Sequence, residues 1–133
     1  MRKTSPKQKI KLRIQKLLLT ICRTRDVRCV LFEMGVGKCG GITSADHIIT
    51  RQIARTFAEP LNTVLLCWYH HFQWKPSNPT IYTKLIREII GEATFNYIHE
   101  LAKEETHYGE KDWLKKEEEL KNSFSIPVRG QGN

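Results

Sequence analysis

The spacing Cys67-x2-His70 constrains this chain more than any other feature of its sequence. Two ligands at that separation present themselves to one tetrahedral ion, and a chain that uses them has to bring a second pair to the same point. Cys29 and Cys39 are available for this, with Gly40 directly after Cys39 suited to a tight knuckle. Their separation exceeds the roughly two to four residues of an ordinary knuckle, so this half of the set would be an unusually long loop. Cys22, the remaining cysteine, falls in an amphipathic segment and reads as a small buried hydrophobe, with a spare ligand as its second reading. Four cysteines can also mean two disulfides. The apolar stretch KLLLTIC is too short and too closely flanked by Lys and Arg for a secretory signal, so the expectation is metal binding in a cytoplasmic protein.

A chain of 133 residues builds one domain with a modest core. No apolar run approaches the roughly 18 residues of a membrane span, so a membrane is not an expected partner. The net charge of +8 sits at one end: ten Lys or Arg fall within residues 1–28 against one acid, Asp26, leaving the rest near neutral. A basic arm on a near-neutral body points to a polyanion, most simply nucleic acid, although a solvated helix face has the same composition.

Periodicity divides the chain further. Ile10, Ile14, Leu17, Leu18 and Ile21 form one stripe of a helix over 6–24, whose other face carries Lys7, Lys9, Lys11, Arg13 and Lys16. Residues 27–41 hold an apolar run and several glycines, the pattern of a hairpin or a long knuckle loop. GITSADHII and TVLLCW read as two strands, separated by an irregular loop with a helical turn that stops near Pro60. A helix should begin close to His70 and run towards Trp74. Asn78-Pro79 then predicts an N-cap and first helical position, and Gly91 the end of that helix. Two more helices follow, in EATFNYIHELAKEE and EKDWLKKEEELKN. In the latter, Lys115 and Lys116 with Glu117–Glu119 read as a solvated face. The tail after 121 reads as disordered.

Three groups stand in order along this framework: Asp46-His47, Asn62, and Cys67-x2-His70-His71. Phosphodiester hydrolysis needs a base for water and a cation for the charge that develops on phosphate and leaving oxygen. His47 is the right type for the base, being mostly neutral in the cytosol. Asp46 and His71 suit a hard or borderline divalent ion. Neighbours on a strand point to opposite faces, so Asp46 and His47 can serve one site only where the strand bends or ends. Arg51, Arg55 and Lys75 lie where phosphate contacts would fall, with Lys9, Arg13 and Lys16 on the basic helix.

These residues resemble the HNH family of endonucleases, with its ββα-metal (His-Me finger) fold. The resemblance runs through CGGITSADHII and LNTVLLCWYHHF and covers about residues 22–98. His70 stands where zinc-stapled members carry a second knuckle cysteine, and His71 where the family has its last histidine. The basic helix before the knuckle and the helical segment after it make the layout similar to phage recombination nucleases of the NinG and Ref type. The resemblance implies His47 as general base, Asp46 and His71 on a catalytic magnesium or other divalent ion, and structural zinc on Cys29, Cys39, Cys67 and His70. It implies that Asn62 either fixes the loop that orients the base or helps to hold the metal. The expected chain is α+β: a basic helix over 1–24, a zinc-supported ββα-metal core over 25–78, a helical segment over 79–121 and a disordered tail over 122–133. The implied function is metal-dependent DNA cleavage in phage or prophage recombination, in the host cytoplasm, with a recombinase or other recombination protein as partner. The alternative is a non-catalytic, zinc-containing DNA-binding accessory protein.

Overall fold

Ser5 opens the first helix. Its hydroxyl accepts from the Gln8 amide at 3.1 Å, and the Gln8 side chain accepts from the Ser5 amide at 3.2 Å, so two of the unpaired amides at the helix start are satisfied reciprocally. In the computed structural model, which describes residues 3–104 and 106–123, this helix is α1 (Pro6–Asp26). Ile10, Ile14, Leu18 and Ile21 form its buried stripe, as the periodicity predicts. Cys22 is also buried, its thiol 3.3 Å from the Thr63 hydroxyl.

α1 runs past the expected end at residue 24 because its last turn is anchored from outside. Arg25 and Asp26 form a buried ion pair at 2.9 Å. The Arg25 guanidinium donates to the carbonyls of Pro60 and Thr63, and Asp26 accepts from the Leu65 amide. The helix terminus is thus tied to the second strand of the sheet.

That sheet has two antiparallel strands, β1 (Thr43–His47) and β2 (Thr63–Cys67), with Thr43 opposite Cys67 and His47 opposite Thr63. β2 is buried at every residue, whereas β1 is buried only at Asp46 and His47. A strand covered on both faces reads as a continuous apolar run, which is what the sequence shows. One face of β2 meets α1 through Thr63; Val64 and Leu66 belong to a core with Tyr82, Ile86, Ile90 and Ile98. Of the two forms expected for residues 27–41, the knuckle loop is the one that forms, and Val30 N–H donates to Leu65 C=O at 2.9 Å.

Between the strands lies a loop with the short helix α2 (Ala54–Phe57) and a single tight turn at Pro60–Asn62. The helical segment expected near His70 begins at Tyr69 as a π turn, Tyr69–Trp74, and runs into α3 (Lys75–Ser77). α4 (Pro79–Ile90), α5 (Glu92–Ala102) and α6 (Glu110–Asn122) follow. Pro79 is the first residue of α4 and Asn78 its N-cap, as expected, but the Asn78 side chain makes no cap hydrogen bond: its amide turns back to donate to the Trp74 carbonyl at 2.9 Å.

α6 is less solvated than its composition suggests. Trp113 and Leu120 join Ile10, Ile14, Leu18 and Phe57 in a second core. Glu117 is buried, accepting from Arg13 Nε and Nη2 at 2.7 and 3.0 Å, so it is not part of a solvated face. Expected disorder beyond Ser123 falls on residues outside those described. Among the described residues, no helix is long and apolar enough to cross a membrane.

Candidate metal centre and active-site cleft

β2 delivers Cys67 to the point where the chain turns into the π turn, and the first full residue of that turn after Tyr69 is His70. Cys67 Sγ lies 3.1 Å from His70 Nδ1; Cys29 and Cys39, from the knuckle loop, bring their sulfurs to 3.6 and 3.7 Å from the same nitrogen. The four ligand atoms lie within 4.8 Å of one another. Tetrahedral zinc with ordinary bond lengths separates sulfur and nitrogen ligands by about 3.5 Å, so this Cys3His cluster can hold an ion such as zinc. His70 Nε2 is 3.0 Å from the Val36 carbonyl and must donate to it, which leaves the Nδ1 lone pair for the cluster. Burial would push the Cys67 thiol up, but the backbone amides of His70 and Gly40 and the His70 ring bring it down to about 6. Cys39 is pushed up to about 12 by burial and by the neighbouring sulfurs. One thiolate is thus ready, and a cation would complete the deprotonation of the set.

The long first knuckle closes through glycine. At Gly41, φ is +82°, and a Cβ there would stand 2.5 Å from Trp68 Cβ. Tyr69 N–H donates to Gly40 C=O at 3.0 Å across the same junction. Trp68 is 44% exposed, since its packing is against this turn rather than beneath it.

His71, the next residue, serves a different cluster. Ser44 and Asp46 are two apart on β1 and share a face. Ser44 Oγ is 2.6 Å from His71 Nδ1, and Asp46 Oδ1 is 3.2 Å from His71 Nε2. Lys75 Nζ lies 2.7 Å from the same Asp46 oxygen, and the buried Tyr82 hydroxyl donates to Asp46 Oδ2. Burial would push the Asp46 carboxyl up. Hydrogen bonds from His71, Lys75 and Tyr82 and the Lys75 charge outweigh it and hold the group below the usual carboxylate range. Tyr82 is pushed well above the usual phenol range by burial and by Asp46, so it remains a donor. A carboxylate oxygen and an imidazole nitrogen about 3 Å apart match adjacent ligands of one divalent ion, and a cationic ammonium already stands against that oxygen.

β1 ends at His47, and that ending lets Asp46 and His47 line one cleft of about 590 Å³. His47 Nε2 is 2.9 Å from the Phe57 carbonyl. A carbonyl only accepts, so Nε2 carries the hydrogen and Nδ1 keeps its lone pair. The imidazole stacks on the Phe57 ring, whose edge meets Trp113 of α6. Burial lowers the His47 pKa, against a smaller opposing effect of the Phe57 carbonyl and Asp46, so the ring is neutral at pH 7.

Asn62 is fully buried. Its Oδ1 accepts from Ile49 N–H at 2.8 Å, and its Nδ2 donates to the carbonyls of Ile49 and Thr56, both at 3.1 Å. Of its two implied roles, the geometry is that of the loop fastener: both polar atoms of the amide are spent on backbone.

Lys16, Arg51 and Lys75 line the cleft. Lys9 is exposed on α1 away from it. Arg13 and Arg55, expected at phosphates, face elsewhere: Arg13 is held by Glu117, and Arg55 by Glu104 at 3.1 Å and Tyr108 at 3.4 Å. Ser44 and Tyr82 were not legible as site residues. A serine on a half-buried strand and a tyrosine near a helix start carry no spacing signal that separates them from packing. Compared with known proteins, the chain matches no family model, no curated protein and no solved structure.

Proposed function

We propose that this chain is a metal-dependent endonuclease that hydrolyses phosphodiester bonds in DNA. Its ββα-metal centre would be β1, β2 and the turn after Cys67, with zinc on Cys29, Cys39, Cys67 and His70. One observation carries the reading: His47, neutral and with its tautomer fixed by the Phe57 carbonyl, lines the same cleft as an Asp46–His71 pair spaced for one divalent ion. His47 Nδ1 takes the proton of the attacking water. Magnesium or another divalent ion held by Asp46 and His71 would stabilise charge on the phosphate and the leaving oxygen. Ser44, its hydroxyl 2.6 Å from His71 Nδ1, keeps the His71 ring oriented, Tyr82 pins Asp46, and Asn62 holds the loop that carries Phe57. Lys16 and Arg51 supply positive charge to the cleft wall. Phage or prophage recombination, with a recombinase as partner, is the setting that the family resemblance suggests.

A second reading, a zinc-containing DNA-binding accessory protein, is favoured by the Lys75 ammonium, which already neutralises Asp46. Nicking of supercoiled DNA by the zinc-loaded protein, with and without added magnesium or manganese, separates the two. On the nuclease reading, His47→Ala keeps DNA binding and lowers the cleavage rate by roughly 10²–10⁴-fold, the usual worth of a positioned base. Retarded DNA without metal-dependent nicking would favour the accessory protein.

A further inference from the structure

Asp46 offers one oxygen to the cleft. Its Oδ2 is taken by the Tyr82 hydroxyl, and its Oδ1 is shared by Lys75 Nζ at 2.7 Å and His71 Nε2 at 3.2 Å. The ammonium therefore occupies the one oxygen that a divalent ion ligated by Asp46 and His71 would need, and two cations cannot crowd one oxygen without strong repulsion. Its remaining contacts hold it loosely: the His47 carbonyl at 3.3 Å and the Tyr82 ring, 4.4 Å from its centroid. The Lys75 side chain is a quarter exposed, and it lines both the cleft of about 590 Å³ and a neighbouring one of about 450 Å³. A flexible four-carbon stem lets such a charge leave Asp46 without movement of the backbone.

We infer that Lys75 is a built-in occupant of the metal site, which must leave Asp46 for a divalent ion to enter and which a substrate phosphate draws away. The inference rests on the metal-centre reading above. Its consequence is positive coupling: phosphate in the cleft, beside Lys16 and Arg51, releases the carboxylate for the metal, and metal on the carboxylate releases the ammonium for the phosphate. By linkage the two effects are equal. The chain thus keeps its metal affinity low until a polyanion is bound, and Lys75 acts as a positioning residue that couples the two loading events.

The test is manganese binding, read by electron paramagnetic resonance or calorimetry, to the zinc-loaded protein in a His47→Ala background, with and without a short DNA duplex. With Lys75 present, DNA should raise manganese affinity by roughly 5- to 150-fold, the usual span of such couplings. Lys75→Met, and Lys75→Gln as a second neutral variant, should bind manganese more tightly without DNA by a similar factor and gain little from DNA. Absence of any DNA effect on the parent would overturn the inference, whatever the variants do. So would equal manganese affinity with and without the lysine. If that binding is still lost in Asp46→Asn, only the role of Lys75 falls. If no Asp46-dependent binding exists in any of the proteins, the metal-centre reading falls with it.

Discussion

Replacing Asn62 by alanine tests the link between the fold and the cleft without reference to any reaction. The side chain makes three hydrogen bonds to backbone: with Ile49 N–H, Ile49 C=O and Thr56 C=O. The two at Ile49 are half-buried, and water entering the loop can replace them, so each costs about 1 kcal/mol. The Thr56 carbonyl is buried but keeps the Glu59 N–H at 3.2 Å, so losing the Asn62 bond there also costs about 1 kcal/mol. Asn62→Ala should therefore lose about 3 kcal/mol, a large share of the stability of a small domain. Urea unfolding of the zinc-loaded protein, followed by tryptophan fluorescence, measures it. Asn78→Ala is the control, because that amide makes a single hydrogen bond, with the Trp74 carbonyl, and its removal should cost under about 1 kcal/mol. Hydrogen exchange at the Ile49 amide should accelerate in Asn62→Ala and not in the control. A loss within about 0.5 kcal/mol of zero, the range of ordinary surface changes, would refute the assignment of Asn62 as fastener of the loop.

The purified protein should carry about one zinc per chain, because one tetrahedral set is present; Cys67→Ser and His70→Ala should lose it and destabilise the fold, while His71→Ala should keep it, as elemental analysis will show. Arg13 holds the Glu117 carboxyl below the usual carboxylate range, so the stability this pair adds is complete above the ordinary carboxylate pKa and disappears as pH falls through the lowered value. The difference in melting temperature between the wild type and Glu117→Gln should accordingly be largest near neutrality and shrink on acidification; a constant difference would contradict it. Lys16→Gln with Arg51→Gln should flatten the slope of log K against log salt for DNA binding by about 0.9 for each phosphate that is no longer neutralised, whereas Arg55→Gln should leave the slope unchanged.

The framework of this molecule is local, and local signals carried it. The apolar stripe of α1, the two short apolar runs of the strands and the proline that opens α4 each need only neighbouring residues. The ligands of the cysteine cluster were legible for the same reason at Cys67 and His70, whose spacing is short. What the sequence did not display are pairings between remote positions. Glu117 finds Arg13 across 104 residues, Tyr82 finds Asp46 across 36, and Lys75 reaches it across 29. A glutamate in a run of three reads as solvated unless its partner on another helix is known. Lys75 and Arg55 looked alike as basic residues close to the chemistry, and only the reach of Lys75 from the start of α3 to Asp46 separates the one that lines the cleft from the one that is paired with Glu104.

The π turn at Tyr69–Trp74 places His70 and His71 one peptide bond apart, the first ring among Cys29, Cys39 and Cys67 and the second between Ser44 and Asp46. The two clusters consequently have a common point of failure. Any event that frees His70 from the sulfurs moves the backbone that aims His71, so damage to one chamber is reported in the other without a messenger. Cys39, the most exposed of the three sulfurs, is where such damage enters. An oxidant or a competing heavy metal that never reaches the cleft would thus shift the His71 ring from behind.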